Sequence, residues 1–490
     1  MQRPLASRRT SGRPPITRLT TSAGANGASR RSFLELGFSS AMGLGLPLAA
    51  AGRLSQATAS ERSPSSGARP AKQVLFVFLF GGPSHIDTFD PKPDAPSEYR
   101  TAFDTIATSV PGLALCEHLP GLAQRAKHYA VIRTLTCNPR FGDHRFAVHG
   151  LLGGIDELPP GATLAASRRD WPCLGAAAEY ALPRVAGLPN CAVLPEAIID
   201  PGTGLYPGQD AGLLGTAYDP LRLRVEVHAD DYRVDGALNL PAGMSIERLG
   251  RRRALLDSLG ATQDALAKNV ETRTFGSRQR EAYSVLTSGA LSRALDIEQE
   301  DPDSRERYGE NRYGRTLLLA RRLIESGVPL VQANVANHAF WDTHQNNFPV
   351  LQERLPQLDR ALATLLDDMQ ASGLLDETLL VVMGEFGRTP KLVQPTPDLA
   401  HFTSPGRDHW THCYSGLFAG AGIAGGQVIG RSDRIAAYPQ TRAFSQADVG
   451  AAVLTALGID PATELVDLQG RPLRLNHGAV IEPLYTAREA

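Results

Sequence analysis

The run Gln73–Phe80 (QVLFVFLF), stopped by Gly81-Gly82, constrains the fold more than any other feature of this chain. Eight apolar residues without alternation must be covered on both faces, and the glycines end the run before a helix could develop. It reads as a buried parallel strand. Ala130–Leu135 (AVIRTL), Gly327–Val335 (GVPLVQANV) and Leu379–Met383 (LLVVM) repeat the pattern, the last followed by Gly384, and Leu417–Ala419 before Gly420 is a fifth candidate. Between the third and fourth runs, Pro349–Ser372 sets Leu351, Leu355, Leu358, Leu362, Leu365, Leu366 and Met369 on one helical face. Strand, loop, helix and strand form a crossover unit. Such units give an α/β fold: a doubly wound, mainly parallel sheet with helices on both faces.

The domain is expected over 71–485. Asp448–Leu457 adds a helix stopped by Gly458, and Ser277–Ile324 is helical around a charged break. From about 155 to 270 proline and glycine are frequent and strand signals weak, which suggests an inserted cap region. The chain is 42% apolar and can bury a large core. Its 50 basic and 51 acidic residues leave a net charge of −1, which gives no field favouring nucleic acid. Five cysteines without a CxxC pair exclude a zinc ribbon, and their odd number leaves at least one thiol over.

Residues 1–52 read as a twin-arginine export signal: a basic start, Ser29-Arg30-Arg31-Ser32-Phe33-Leu34, an apolar stretch from Gly37 to Ala51, and small residues at its end. The alternative is an amphipathic helix that begins with two arginines. The apolar stretch is too short to span a membrane and too rich in glycine for a good soluble helix. Residues 53–70 form a flexible linker. The expected partner is the twin-arginine translocase, and the expected destination is periplasmic or extracellular, with no stable membrane span.

Ligands of open α/β sheets gather beyond the carboxyl ends of the strands. There the sequence places Ser84, His85, Asp87 and Asp90; His338, Asp342 and His344; Glu385 and Arg388; and Asp408, His409 and His412. Imidazole and carboxylate together suit a hard or borderline divalent ion. Each residue also has a structural alternative. Asp87 and Asp90 could cap turns, His85 could donate to a backbone carbonyl, and Glu385 could cap a helix. Arg388 could pair with Glu385 or clamp an anionic substrate. Asp143 is a plausible helix N-cap, and one of His144 and His149 is expected at a site.

The run from Trp341 to Pro390, WDTHQNNF…LLVVMGEFGRTP, resembles the core of the alkaline-phosphatase and sulfatase superfamily. With GGPSHIDTFDPKP and GRDHW, it is similar to an uncharacterised family of exported, sulfatase-like bacterial proteins. The superfamily resemblance implies a two-metal centre. Asp342, His344 and His409 would match the first metal's ligands, although Asp342 and His344 stand two apart where four is usual. Glu385 stands for a second-metal Asp with Phe386 in place of the adjoining His, and Asp87 would substitute for a missing strand-end Asp. Gly142, Asp143 and His144 occupy the nucleophile's place without a hydroxyl or thiol, which excludes formylglycine chemistry there.

These expectations assemble into a hydrolase of anionic esters, a sulfated polysaccharide among the candidate substrates, that uses metal-activated water. One or two divalent ions (zinc, calcium or manganese) would be bound by Asp342, His344, His409, Glu385, Asp87 and Asp408. His144, Arg388 and His85 would be catalytic, with His144 as general acid. The competing expectation is a non-catalytic binding or scaffold protein that keeps the fold.

Overall fold

In the computed structural model the described residues are 71–486, apart from 186, 229–230, 235–244, 246, 253, 256–282, 286, 336–339 and 396–403. The export signal, the linker and His338 lie outside them. Eight strands form the central sheet: β1 (Gln73–Phe78), β2 (Tyr129–Leu135), β3 (Cys191–Leu194), β4 (Leu221–Arg222), β5 (Leu330–Asn334), β6 (Thr378–Met383), β7 (Tyr414–Ala419) and β8 (Gln427–Ile429). Their order is β8-β2-β7-β6-β1-β5-β3-β4. β1 pairs in parallel with both β5 and β6, while β7 runs antiparallel to its neighbours β6 and β2.

Alternation along β1 divides the core in two. Leu75, Val77 and Leu79 face one side, and Val74, Phe76, Phe78 and Phe80 the other. Helices cover these faces, the longest of them among the described residues being α1 (His144–Gly153), α2 (Leu174–Ala181), α3 (Arg312–Glu325), α4 (Asn347–Ala371) and α5 (Gln446–Ala456). α3 and α4 bury their leucines against the first face, and α1, α2 and α5 pack on the second. Continuous apolar strands are thus covered on both sides, as the runs require.

The expected helix at 349–372 is α4, with its predicted leucine face buried. The helix expected from 448 begins two residues earlier, because Ser445 and Asp448 form a reciprocal capping box. One boundary is corrected. Residues 174–222, read as part of an insertion, supply α2, β3 and β4 to the main sheet. The four-residue β3 is too short to announce itself in sequence.

The reversal of β7 matters for the site. The chain leaves β6 at its carboxyl end and re-enters the sheet at the amino end of β7, which lies on the same edge. The described residues between 384 and 413 therefore lie at that edge. No helix among the described residues is long and apolar enough to cross a membrane.

Candidate metal centre

The double glycine after β1 seats the site. Gly82 has φ of 68°, and a Cβ there would lie 2.6 Å from the Phe386 ring, so only glycine fits. The Gly81 N–H donates to both carboxylate oxygens of Glu385, at 3.0 and 3.2 Å. The carbonyl of Gly82 accepts from Arg388 Nε at 2.8 Å, and that of Gly81 from a terminal nitrogen of the same guanidinium. Arg388 pairs across a two-stranded ribbon with His409, which joins the GEFGRTP and GRDHW segments. On a third side, Asp143 caps α1 by accepting from Arg145 N–H at 2.8 Å, which sets His144 as the helix's first residue.

Three imidazoles converge on Asp342. His344 Nε2 stands 2.9 Å and His409 Nε2 3.1 Å from its Oδ1, and His144 Nε2 lies 3.2 Å from its Oδ2. The two nitrogens Nε2 of His344 and His409 are themselves 3.1 Å apart. Each ring is fixed from behind at Nδ1: His409 by the Gly142 carbonyl at 2.7 Å, His344 by Asp408 at 2.6 Å and His144 by Glu385 at 2.5 Å. A carbonyl or carboxylate only accepts, so each Nδ1 carries a proton and Nε2 is the atom each ring turns toward Asp342, where it donates when protonated and offers a lone pair to an ion that displaces that proton. Metal-binding histidines are oriented in this way by their outer hydrogen bonds. His144, Asp342 and His409 offer ligand atoms all within 4.8 Å of one another. Tetrahedral bonds of about 2.0–2.1 Å imply ligand–ligand edges of roughly 3.3 Å, which the 3.1 and 3.2 Å contacts of His409 and His144 with Asp342 approach, so the three could hold one ion.

The electrostatics call for positive charge at this point. Burial disfavours the Asp342 anion, but hydrogen bonds from three histidines and the charge of Arg388 hold its carboxyl well below the usual range. Burial likewise opposes a proton on His144, yet Asp342 and Glu385 push it up to about 9. His344 is raised chiefly by Asp342. The site opens on one side, where His344 is 43% and Asp408 53% exposed, while Glu385 and Arg388 are fully buried.

The structure brings Asp342, His344, His409, His144, Glu385, Arg388 and Asp408 together. It does not bring Asp87 or His85. Both oxygens of Asp87 are engaged by Arg407, at 2.8 and 3.1 Å, and Asn347 donates at 2.9 Å. His85 Nε2 donates to the Ala436 carbonyl at 2.8 Å, the structural alternative for that residue. Asp90 pairs with Lys92 and Arg133. Arg388 pairs with Asp342 at 2.6 Å, not with Glu385, and backbone carbonyls take three more of its five N–H donors in a fully buried setting, so it presents no two-pronged fork to a substrate. Arg407 and the Gly142 carbonyl were not visible beforehand. A basic residue beside a candidate ligand, as in GRDHW, is the one signal that could have pointed to Arg407.

His149, the other histidine of α1, is buried and accepts from Trp171 N–H at 3.0 Å. Burial lowers it from 6.5 to about 4. The unfolded chain therefore binds a proton that the folded one refuses, and stability falls as pH drops through 6.5 toward 4. Between pH 6.5 and 5 the loss is about 2 kcal/mol at 1.36 kcal/mol per unit. Urea unfolding across that range should show a shallower fall for His149→Gln than for wild type; equal slopes would refute the assignment.

Fold and site define an α/β protein with a carboxylate–imidazole centre at the carboxyl edge of a mainly parallel sheet. The chain belongs to the DUF1501 family, described as a protein of unknown function, whose model matches residues 71–485. No curated protein matches it in sequence. Among solved structures, it is similar to Ps i-CgsB at 10% identity and a TM-score of 0.39, over 85% of this chain and 76% of that one. The alkaline phosphatase from the Antarctic bacterium TAB5 shares 10% identity at a TM-score of 0.33, over 80% and 99% of the two chains. The PsFucS1 sulfatase from Pseudoalteromonas sp. shares 12% at 0.34, over 80% and 68%. Likenesses this distant carry no argument about what this chain does. All five cysteines are free and buried.

Proposed function

We propose that the protein is an exported, metal-dependent hydrolase of sulfate, phosphate or related esters. The observation that carries the metal reading is the convergence of three Nε2 atoms, each ring fixed at Nδ1 by an acceptor, on the single carboxylate of Asp342. The ester class rests on the resemblance of the WDTH, GEFGRTP and GRDHW segments to sulfatase-like proteins. Asp342, His409 and His144 would hold the ion. When bound, it would polarise an ester oxygen and acidify a water toward neutrality.

In this reading His144 is a ligand and not a general acid. Glu385 orients it, and Arg388 fixes Asp342. His344 is the group placed to carry a proton to the leaving oxygen. It stands half-exposed at the open side, with Asp408 behind its Nδ1. The buried Cys137 thiol, pushed well above its ordinary value by burial, is no nucleophile.

The test uses the mature chain as exported. Stoichiometric divalent metal is expected by elemental analysis, with hydrolysis of an aryl sulfate or aryl phosphate that chelation abolishes and metal restores. His344→Ala should keep the metal and slow hydrolysis about 10²- to 10⁴-fold. Folded protein that takes up no metal would overturn the reading. Metal without hydrolysis of any ester would favour the second reading, a binding or scaffold protein. The lack of a hydroxyl or thiol at the start of α1, where His144 stands, supports that alternative.

A further inference from the structure

The superfamily resemblance implies two metals, and the side chains around Asp342 do not fit a second. We infer that the centre takes a single divalent ion, with Arg388 supplying the positive charge that a second ion would otherwise provide. The inference rests on the metal reading above.

Three observations carry it. Glu385, which the resemblance assigns to a second metal, has both oxygens engaged by the Gly81 N–H, and one of them also accepts from His144 at 2.5 Å. It is fully buried. Phe386 occupies the place of the adjoining histidine, with its ring centroid 4.8 Å from His144 and 4.6 Å from His409, and it offers no donor atom. Asp87, the remaining candidate, is held by Arg407. No carboxylate or imidazole among these is left for another cation.

Charge gives the same answer. Arg388 is wholly buried, 2.6 Å from Asp342 Oδ1, and anchored on the backbone at both glycines. One guanidinium and one divalent ion balance the carboxylates of Asp342, Glu385 and Asp408. A second divalent ion would leave two positive charges uncompensated beside the wholly buried Arg388, where unpaired charge is strongly unfavourable. Glu385 is accordingly a positioning residue, acting on the ion through His144.

The experiment is a titration of the chelator-stripped mature chain with zinc, followed by calorimetry and checked by elemental analysis after dialysis. One zinc per chain is expected in wild type. Glu385→Gln should still take one zinc, bound about 10- to 100-fold more weakly, the range for loss of an outer-shell partner. Phe386→Ala should leave the stoichiometry at one. Two zinc ions per wild-type chain, or a Glu385→Gln variant that falls from two to one, would overturn the single-ion inference while keeping the metal reading. A wild-type chain that binds none would overturn the metal reading itself. The wild-type stoichiometry decides the matter even if a variant fails to fold.

Discussion

Asp342→Ala is expected to abolish metal uptake and, in chelator, to lower the folding free energy by about 3–5 kcal/mol, the usual effect of removing one partner of a buried ion pair. Both effects follow from the place this carboxylate occupies. Its Oδ1 is shared by His344, His409 and Arg388, and its Oδ2 faces His144. Without it the three Nε2 atoms have no anion to share and lose the ligand that gathers them. The ion-free protein also keeps Arg388 wholly buried with its nearest anion gone. Asp342→Asn separates the two effects: it preserves shape and a carbonyl acceptor but removes the charge, so metal uptake should still fail. Measuring stability in chelator matters because bound metal adds its own stabilisation by mass action. An alanine variant that still takes up stoichiometric metal would refute the assignment of Asp342 as the central ligand.

How much of this was legible in sequence depended on what fixed each residue. The β1 and β6 runs declared themselves because strands covered on both faces leave no polar alternation, and the α4 leucines because a long helix repeats its signal over many turns. Asp342, His344 and His409 were legible as residues at strand ends. Their convergence was less so, because it depends on β7 running backwards and keeping Asp408 and His409 on the same edge as Asp342. Strand direction leaves no mark in composition. The loop residues divided by burial: Asp87 and His85 stand in the same segment as the Gly81-Gly82 seat, yet each is turned to a structural partner. The two glycines show the converse. They read as the stop of a strand, and the structure makes their N–H and carbonyls the holders of Glu385 and Arg388, a backbone role that side-chain chemistry does not reveal.

The second large effect is expected at the Asp87–Arg407 pair. Both residues are fully buried, and Arg407 meets the carboxylate through two nitrogens. Burial opposes ionisation of Asp87, but the charge and hydrogen bonds of Arg407, with Ser84 and Thr101, outweigh it and hold the carboxyl below its ordinary 3.8. The stabilisation is thus fully present above pH 3.8 and is lost as pH falls further, through the folded value. Asp87→Ala leaves a guanidinium in a site without a counter-charge, which should cost about 3–5 kcal/mol at neutral pH. The damage should also reach the metal. Arg407 directly precedes Asp408 and His409, and its carbonyl accepts from Arg388 at 3.2 Å. Zinc affinity of Asp87→Ala should therefore fall as well, although Asp87 is not a ligand. Replacing both partners by apolar residues of similar volume, Asp87→Leu with Arg407→Met, removes the uncompensated charge and should recover most of the stability. Urea unfolding in chelator reads both variants. A single substitution within about 1 kcal/mol of wild type, or a double variant less stable than the single one, would show that the pair is not what holds this loop in place.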